Sequence, residues 1–191
     1  MDADLEDLAR RTRRELTGPA DEELHRRLTA VADPDALAAA LTQTQLPLWA
    51  REIAAFRLGC AGDRRSFEPL VLLLNHRDPE RCLSASYALS RLGDPRTGAA
   101  AAALATNELR VAYALIPVRL LTTLRAPESA PALITALGRR LGPGDPHWRV
   151  ALACVEGLGA LADERARPVL ESALSHPRLS AAASAALSRL R

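Results

Sequence analysis

The sequence predicts an all-α protein: a right-handed α–α superhelix of about five helical hairpins, with capping helices at its ends. Three observations favour this fold class. A short phrase of residues recurs along the chain, alanine and leucine dominate the composition, and aromatic residues make up only 3% of it. Alanine and leucine are strong helix formers, whereas sheets are enriched in β-branched and aromatic side chains. We therefore expect about eleven or twelve helices, arranged in antiparallel pairs.

The chain begins with a segment that differs from the rest. Residues 1–18 are expected to form an N-terminal capping helix, and residues 19–191 a repeat array that is a single domain. Leu5, Leu8 and Leu16 alternate with charged residues in the first segment. A half-exposed helix that covers the end of an apolar array has this pattern.

The recurring phrase reads Leu-x-x-apolar-x-Asp. It begins at Leu28, Leu58, Leu89 and Leu158, and a degenerate copy begins at Leu121. The intervals between its Asp positions are 30, 31, 32 and 37 residues, which is the range typical of solenoids. The leucine and the apolar residue three positions later share one face of a first helix. Each helix pair is therefore expected to bury its apolar face against its neighbours.

A capping aspartate is predicted at the start of six helices. An aspartate at this position accepts hydrogen bonds from the free amides of the first turn. Proline is favoured directly after it, because its missing N–H has no acceptor there in any case, and it follows four of the six aspartates. The predicted caps are Asp33, Asp63, Asp78, Asp94, Asp145 and Asp163.

Composition and charge exclude several classes of protein. Every one of the 25 basic residues is arginine, and the formal net charge is +2. A dedicated nucleic-acid-binding domain usually has a larger excess of positive charge, so specific nucleic-acid binding is not expected. The charged N-terminus is followed by no apolar leader, and no apolar run has the length of a membrane span. Three cysteines without CxxC spacing predict neither a disulfide framework nor a zinc site, which fits a cytoplasmic protein without cofactors.

The repeat that spans residues 111–148 departs from the pattern. Pro117 falls inside its leading helix, Ala126 replaces the capping aspartate, and its second helix runs on into "ALGRRLGPGDPHW". Repeat proteins often carry insertions on their binding face, and arginine and tryptophan are favoured contact residues at interfaces. The irregular repeat therefore predicts a partner-binding site formed by Arg139, Arg140, His147 and Trp148. The alternative is a lengthened loop with Trp148 folded back as a cover.

Three copies of an Asp-x-Arg triplet add a second group of candidate contacts. Arg65, Arg96 and Arg165 would form a row along one edge of the array, suited to an acidic partner. The alternative is structural: the aspartate caps its helix, and the arginine pairs with a carboxylate of a neighbouring repeat.

The phrases "FRLGCAGDRR", "ALSRLGDPR" and "EGLGALADERA" resemble HEAT repeats, in particular the short bacterial HEAT-like repeats of the phycobilin-lyase type. The resemblance covers roughly residues 20–191 and implies an armadillo-like α-solenoid. It says little about function, because the family includes scaffolds, adaptors, lyases and DNA glycosylases.

No catalytic set of residues accompanies the repeats, so the sequence favours a non-catalytic scaffold or adaptor that binds a protein or peptide on its concave face. The acidic partner follows from the arginines named above. A HEAT-like enzyme that acts on a ligand in the groove, similar to a DNA glycosylase or a lyase, is the alternative. A glycosylase needs a strongly cationic groove with aromatic residues and a carboxylate, and the near-neutral charge argues against it.

Overall fold

A computed structural model describes residues 3–30, 33–142 and 144–190. Every regular element in these residues is helical, so the predicted all-α fold class is confirmed. The chain divides into two compact units, Met1–Asp94 and Pro95–Arg191. Val31, the apolar residue of the first phrase, lies outside the described residues. None of the described helices is both long and apolar enough to cross a bilayer.

The first unit contains six α-helices in its described residues. They are α1 (Ala3–Thr12), α2 (Pro19–Ala30), α3 (Pro34–Thr42), α4 (Leu48–Cys60), α5 (Phe67–Leu74) and α6 (Pro79–Leu92). Short 3-10 turns, Arg13–Glu15 and Arg64–Ser66, follow α1 and precede α5. Within this unit α4 packs against α3, α5 and α6, while α1 and α2 also lie against α4.

The described residues of the second unit also form six α-helices. They are α7 (Arg96–Thr106), α8 (Leu115–Leu124), α9 (Ser129–Gly138), α10 (Trp148–Leu161), α11 (Arg167–Ala173) and α12 (Ser180–Leu187). In one layer α10 packs between α8 and α12, and in the other layer α9 packs between α7 and α11. This arrangement of consecutive hairpins is that of a helical repeat solenoid.

The recurring leucine has the role that its periodicity predicts. At all five phrases it is at most 4% exposed, and it lies in the core between the first helices and their neighbours: Leu28, Leu58, Leu89, Leu121 and Leu158. Full burial of a leucine contributes about 1.5–3 kcal/mol relative to leaving it exposed. The phrase therefore repeats because every hairpin needs the same anchor.

The irregular repeat differs from the expectation at both of its helices. Its leading helix begins only at Leu115, so Pro117 lies in the first turn, where a missing N–H breaks no helical hydrogen bond. The preceding residues form a 3-10 segment, Glu108–Tyr113. The second helix ends at Gly138 rather than running on, because glycine has low helix propensity.

The N-terminal helix docks through buried polar contacts. The imidazole Nε2 of His25 lies 2.9 Å from the Thr12 hydroxyl and 3.1 Å from the carbonyl oxygen of Ala9. Burial lowers the pKa of His25 below its ordinary value, which favours the neutral ring at neutral pH. His25 thus joins α2 to α1 without a buried charge.

Candidate partner-binding site

Five of the six predicted capping aspartates accept a hydrogen bond from the backbone N–H two residues later. The donor–acceptor distances are 2.7–3.0 Å, and the residues are Asp33, Asp63, Asp78, Asp145 and Asp163. Only Asp33 and Asp78 directly precede an α-helix with proline at its start. Asp94 is buried directly before Pro95, and its capping role stays a prediction.

The other three aspartates hold shorter structures than expected. Asp63 and Asp163 each cap a 3-10 turn that leads into the second helix. Asp145 holds a turn, because α10 begins only at Trp148 and its N-cap residue, His147, makes no side-chain capping bond. The sequence signal of aspartate followed by proline marks a turn there, which is the other common use of this pair.

Replacing Asp78 by alanine should lower the free energy of unfolding by about 1 kcal/mol, the usual value of a lost N-cap. Its carboxylate accepts from the Glu80 amide at 2.9 Å and also lies 3.4 Å from Arg81. Asp78→Asn is the matched control, since asparagine caps as well as aspartate but lacks the charge. Urea unfolding of both variants separates the two contributions, and equal losses would assign the effect to the ion pair.

The predicted row of arginines is largely neutralised by nearby carboxylates. Arg65 forms ion pairs with Asp63 at 2.6 Å and with Asp35 at 2.7 Å. Arg165 pairs with Asp163 at 2.6 Å, and hydrogen bonds from that guanidinium hold the pKa of Asp163 below its ordinary value. Arg96 is exposed at the start of α7. Arg65 and Arg165 thus have the intramolecular carboxylate partners that the structural alternative expects, although both side chains stay about half exposed or more, and a partner-binding role for the row stays a prediction.

The remaining predicted contacts lie on one edge of the second unit, which we call the connection edge. It consists of the three connections between consecutive hairpins, residues 107–114, 139–147 and 174–179, together with Trp148 and Arg149 at the start of α10. Two contacts join neighbouring connections: Arg139 with Glu108, and Trp148 with Arg178.

Arg139 links the first connection to the second. Its Nε lies 3.1 Å from a carboxylate oxygen of Glu108, and its Nη1 donates to the carbonyl oxygen of Thr106 at 2.9 Å. Its side chain is still 45% exposed. Arg139 therefore fixes the geometry of the edge and remains accessible to a partner.

Arg140 does not share this exposure, contrary to the expectation from the sequence. The residue is only 3% exposed, one guanidinium nitrogen donates to the Ala136 carbonyl, and Nε has no hydrogen-bond partner in the described residues. A cation is favoured at the carboxyl end of α9, where the helix dipole is negative. Arg140 is thus a helix-end residue of the core, next to Cys154, whose pKa is raised to about 12 by burial, an effect that the positive charge of Arg140 opposes.

Trp148 and His147 are both half-buried at the amino end of α10. The indole is therefore neither a fully exposed ring nor a cover folded into the core. Two guanidinium groups lie over it, those of Arg149 and Arg178. Neither arginine was among the residues that the sequence singled out, because their convergence on one ring depends on how α10 and the last connection pack.

Exposed apolar residues complete the edge. Leu109 is 95% exposed, and Tyr113 is 38% exposed with the Arg110 guanidinium 5.3 Å from its ring centre. Leucine, tyrosine and arginine so close in the chain give a mixed apolar and cationic surface. The sequence could have indicated Leu109. In "NELRVAY" it lies between α7 and α8, outside the apolar stripe of either helix.

A groove of about 580 Å³ adjoins Arg139. It lies between α7 and α9, and small side chains such as Ala102, Ala103 and Ala132 line it. Glu128 lies at the amino end of α9 and Arg139 at the carboxyl end. Small residues allow a bound backbone to approach closely, so the groove has room for an extended segment of another chain.

The two units differ in charge although the whole chain is close to neutral. Residues 95–191 contain twelve arginines and seven carboxylates, a formal net charge of +5. Residues 1–94 contain thirteen arginines and sixteen carboxylates, a formal net charge of −3. A surface of the second unit therefore favours anionic partners, which the total of +2 conceals.

Comparison with known proteins assigns the chain to no family. No family model matches the sequence, and a search of curated proteins returns no match. In the part of the chain that the structure describes, no three histidine, cysteine, aspartate or glutamate side chains gather as metal ligands.

Proposed function

We propose that this protein is a non-catalytic scaffold or adaptor, similar to HEAT-repeat proteins, that binds a protein partner through the connection edge and the adjoining groove of its second unit. The partner presents an acidic segment. The proposal places the protein in a bacterial cytoplasm, where a reducing environment suits its three free cysteines.

The observation that carries the proposal is Leu109. An almost fully exposed leucine, 95% accessible to solvent, directly follows Glu108, which is ion-paired with Arg139 at the groove. Single exposed leucines are common. This one directly follows the ion-pair partner of Arg139, which lines the groove, and interfaces combine an apolar anchor with a polar rim.

Charge complementarity favours an acidic segment as the occupant of the groove. The second unit has a net charge of +5, and the exposed side chains of the connection edge include Arg139, Arg149 and Arg178. Complementary potentials accelerate association and discriminate against basic competitors. The apolar side chains of the segment would contact Leu109, and its carboxylates the arginines.

A paired set of double variants tests this proposal. A partner captured from the native host is purified, and its affinity is measured for the wild-type chain and for Leu109→Ser/Arg139→Ala. We expect the affinity to fall at least tenfold, about 1.4 kcal/mol. The loss of the exposed Arg139–Glu108 ion pair should lower the free energy of unfolding by no more than about 1 kcal/mol, so the variant stays folded.

The matched control changes the first unit in the same way. Leu83→Ser/Arg26→Ala replaces another exposed leucine and another arginine in an exposed ion pair. Its affinity for the partner should equal that of the wild type. Equal losses of affinity in the two double variants, or no loss in Leu109→Ser/Arg139→Ala, would show that the partner does not bind at the connection edge.

A further inference from the structure

Trp148 holds two guanidinium groups at once. The central carbon of Arg149 lies 4.8 Å from the centre of the indole, and that of Arg178 lies 5.0 Å from it. Arg149 comes from the first turn of α10 and Arg178 from the connection before α12. Cation–π contacts at these distances hold both guanidinium groups close to one ring.

The positive charge of this cluster has no carboxylate partner in the part of the chain that the structure describes. Within the described residues, neither Arg149 nor Arg178 forms an ion pair, in contrast to Arg65, Arg139 and Arg165. The amino end of α10 adds a positive helix dipole, and its first turn contains no acidic residue. Two guanidinium groups and the positive end of a helix therefore surround one indole, a setting that favours an anion.

We propose that Trp148, Arg149 and Arg178 form a carboxylate-binding subsite that takes an acidic side chain of the partner segment. This inference rests on the proposed function for the identity of the partner, although the subsite itself can be tested without it. A guanidinium offers two parallel N–H donors that match the two oxygens of a carboxylate. The indole holds both arginines in place, so that less side-chain entropy is lost when the carboxylate binds.

The order of the connections along the edge gives one segment a course past both sites. Arg139 belongs to the start of the second connection and Trp148 to the helix that follows its end. A segment whose apolar residue contacts Leu109 can therefore continue along the same edge toward Arg178. The subsite would add specificity for acidic residues to an anchor that is apolar.

Direct titration of the full chain tests the subsite. A hexaglutamate peptide, a hexaglutamine peptide and inorganic phosphate are titrated at physiological salt, with calorimetry and tryptophan fluorescence as readouts. The fluorescence change reports Trp148, because the other tryptophan, Trp49, is only 2% exposed. We expect saturable binding of hexaglutamate with a change in fluorescence, and no change with hexaglutamine.

Three charge-removing variants then locate the binding. Arg149→Gln and Arg178→Gln should each raise the dissociation constant of hexaglutamate about tenfold, as expected for a lost charge-assisted hydrogen bond. Arg189→Gln removes one exposed arginine elsewhere in the second unit and should leave the constant unchanged. Equal effects of all three variants would show nonspecific attraction by net charge and overturn the subsite.

Two further outcomes separate this inference from the proposed function. Saturation of the fluorescence change by phosphate, with no response to hexaglutamate, would overturn the carboxylate assignment. If hexaglutamate fails to bind while Leu109→Ser/Arg139→Ala still loses the captured partner, the subsite is wrong and the proposed function stands. If hexaglutamate binds as expected while that double variant keeps the partner, the subsite stands and the proposed binding surface is wrong.

Discussion

Replacement of Glu52 by alanine is expected to lower the free energy of unfolding by about 3–5 kcal/mol, the cost of breaking a buried ion pair by removing one partner. Glu52 is 1% exposed in α4. Its carboxylate accepts hydrogen bonds from Arg81 at 2.7 Å, from the Ser84 hydroxyl at 2.9 Å and from Arg11. The change therefore leaves two arginines and a hydroxyl without their shared acceptor.

The loss should also release the N-terminal helix. Arg11 belongs to α1 and is 13% exposed, and Glu52 is its most closely held partner. Arg81 keeps Glu15 and Asp78 as carboxylate neighbours, so part of its charge remains compensated. Urea unfolding measures the stability, and proteolysis within the first 18 residues should become faster than in the wild type.

Glu80→Ala is the control for the Glu52 variant. Its carboxylate lies 3.9 Å from the same Arg11 but is 66% exposed, and exposed ion pairs usually contribute no more than about 1 kcal/mol. Glu52→Gln removes the charge while it keeps a side-chain oxygen, and should fall between the two. Similar stabilities of Glu52→Ala and Glu80→Ala would show that the buried network adds nothing beyond a surface pair.

The repeat phrase predicted the core because its information is local. Leu58, Leu89 and Leu158 are buried, and the helices that contain them pack on helices of the preceding repeat. This requirement recurs with the period of the repeat. Glu52 could not be identified in the same way. Its partners lie 41 and 29 residues away, and no spacing rule joins an N-terminal helix to two different repeats.

The candidate site was only partly predictable for a related reason. The irregular repeat singled out Arg139 and Trp148 as partner contacts, and the structure places Arg139 in a hairpin connection and Trp148 at the first residue of α10; their binding role stays a prediction. Exposure could not be deduced from irregularity, and Arg140 is buried beside an exposed neighbour. Arg149 and Arg178 come together only through the packing of α10 against α12. The acidic partner, by contrast, is proposed from net charge. The sequence contains this information once the charged residues of the two units are counted separately.

Gly159→Ala should destabilise the protein by about 2 kcal/mol, within the usual cost of overpacking a core, although alanine is the better helix former. A Cβ atom at position 159 would lie 2.8 Å from the Cβ of Ala186 and 2.9 Å from its Cα. Both atoms are fixed to the backbone of α12, so no rotamer change relieves the contact, and α10 and α12 must move apart.

Gly138→Ala is the matched control: its Cβ would meet only Val169, at 3.9 Å. This second change should be neutral or stabilising by up to about 1 kcal/mol, because it replaces glycine in a helix. The melting temperature should thus fall for Gly159→Ala and stay unchanged or rise for Gly138→Ala. A stabilised Gly159→Ala would contradict the close packing of α10 on α12.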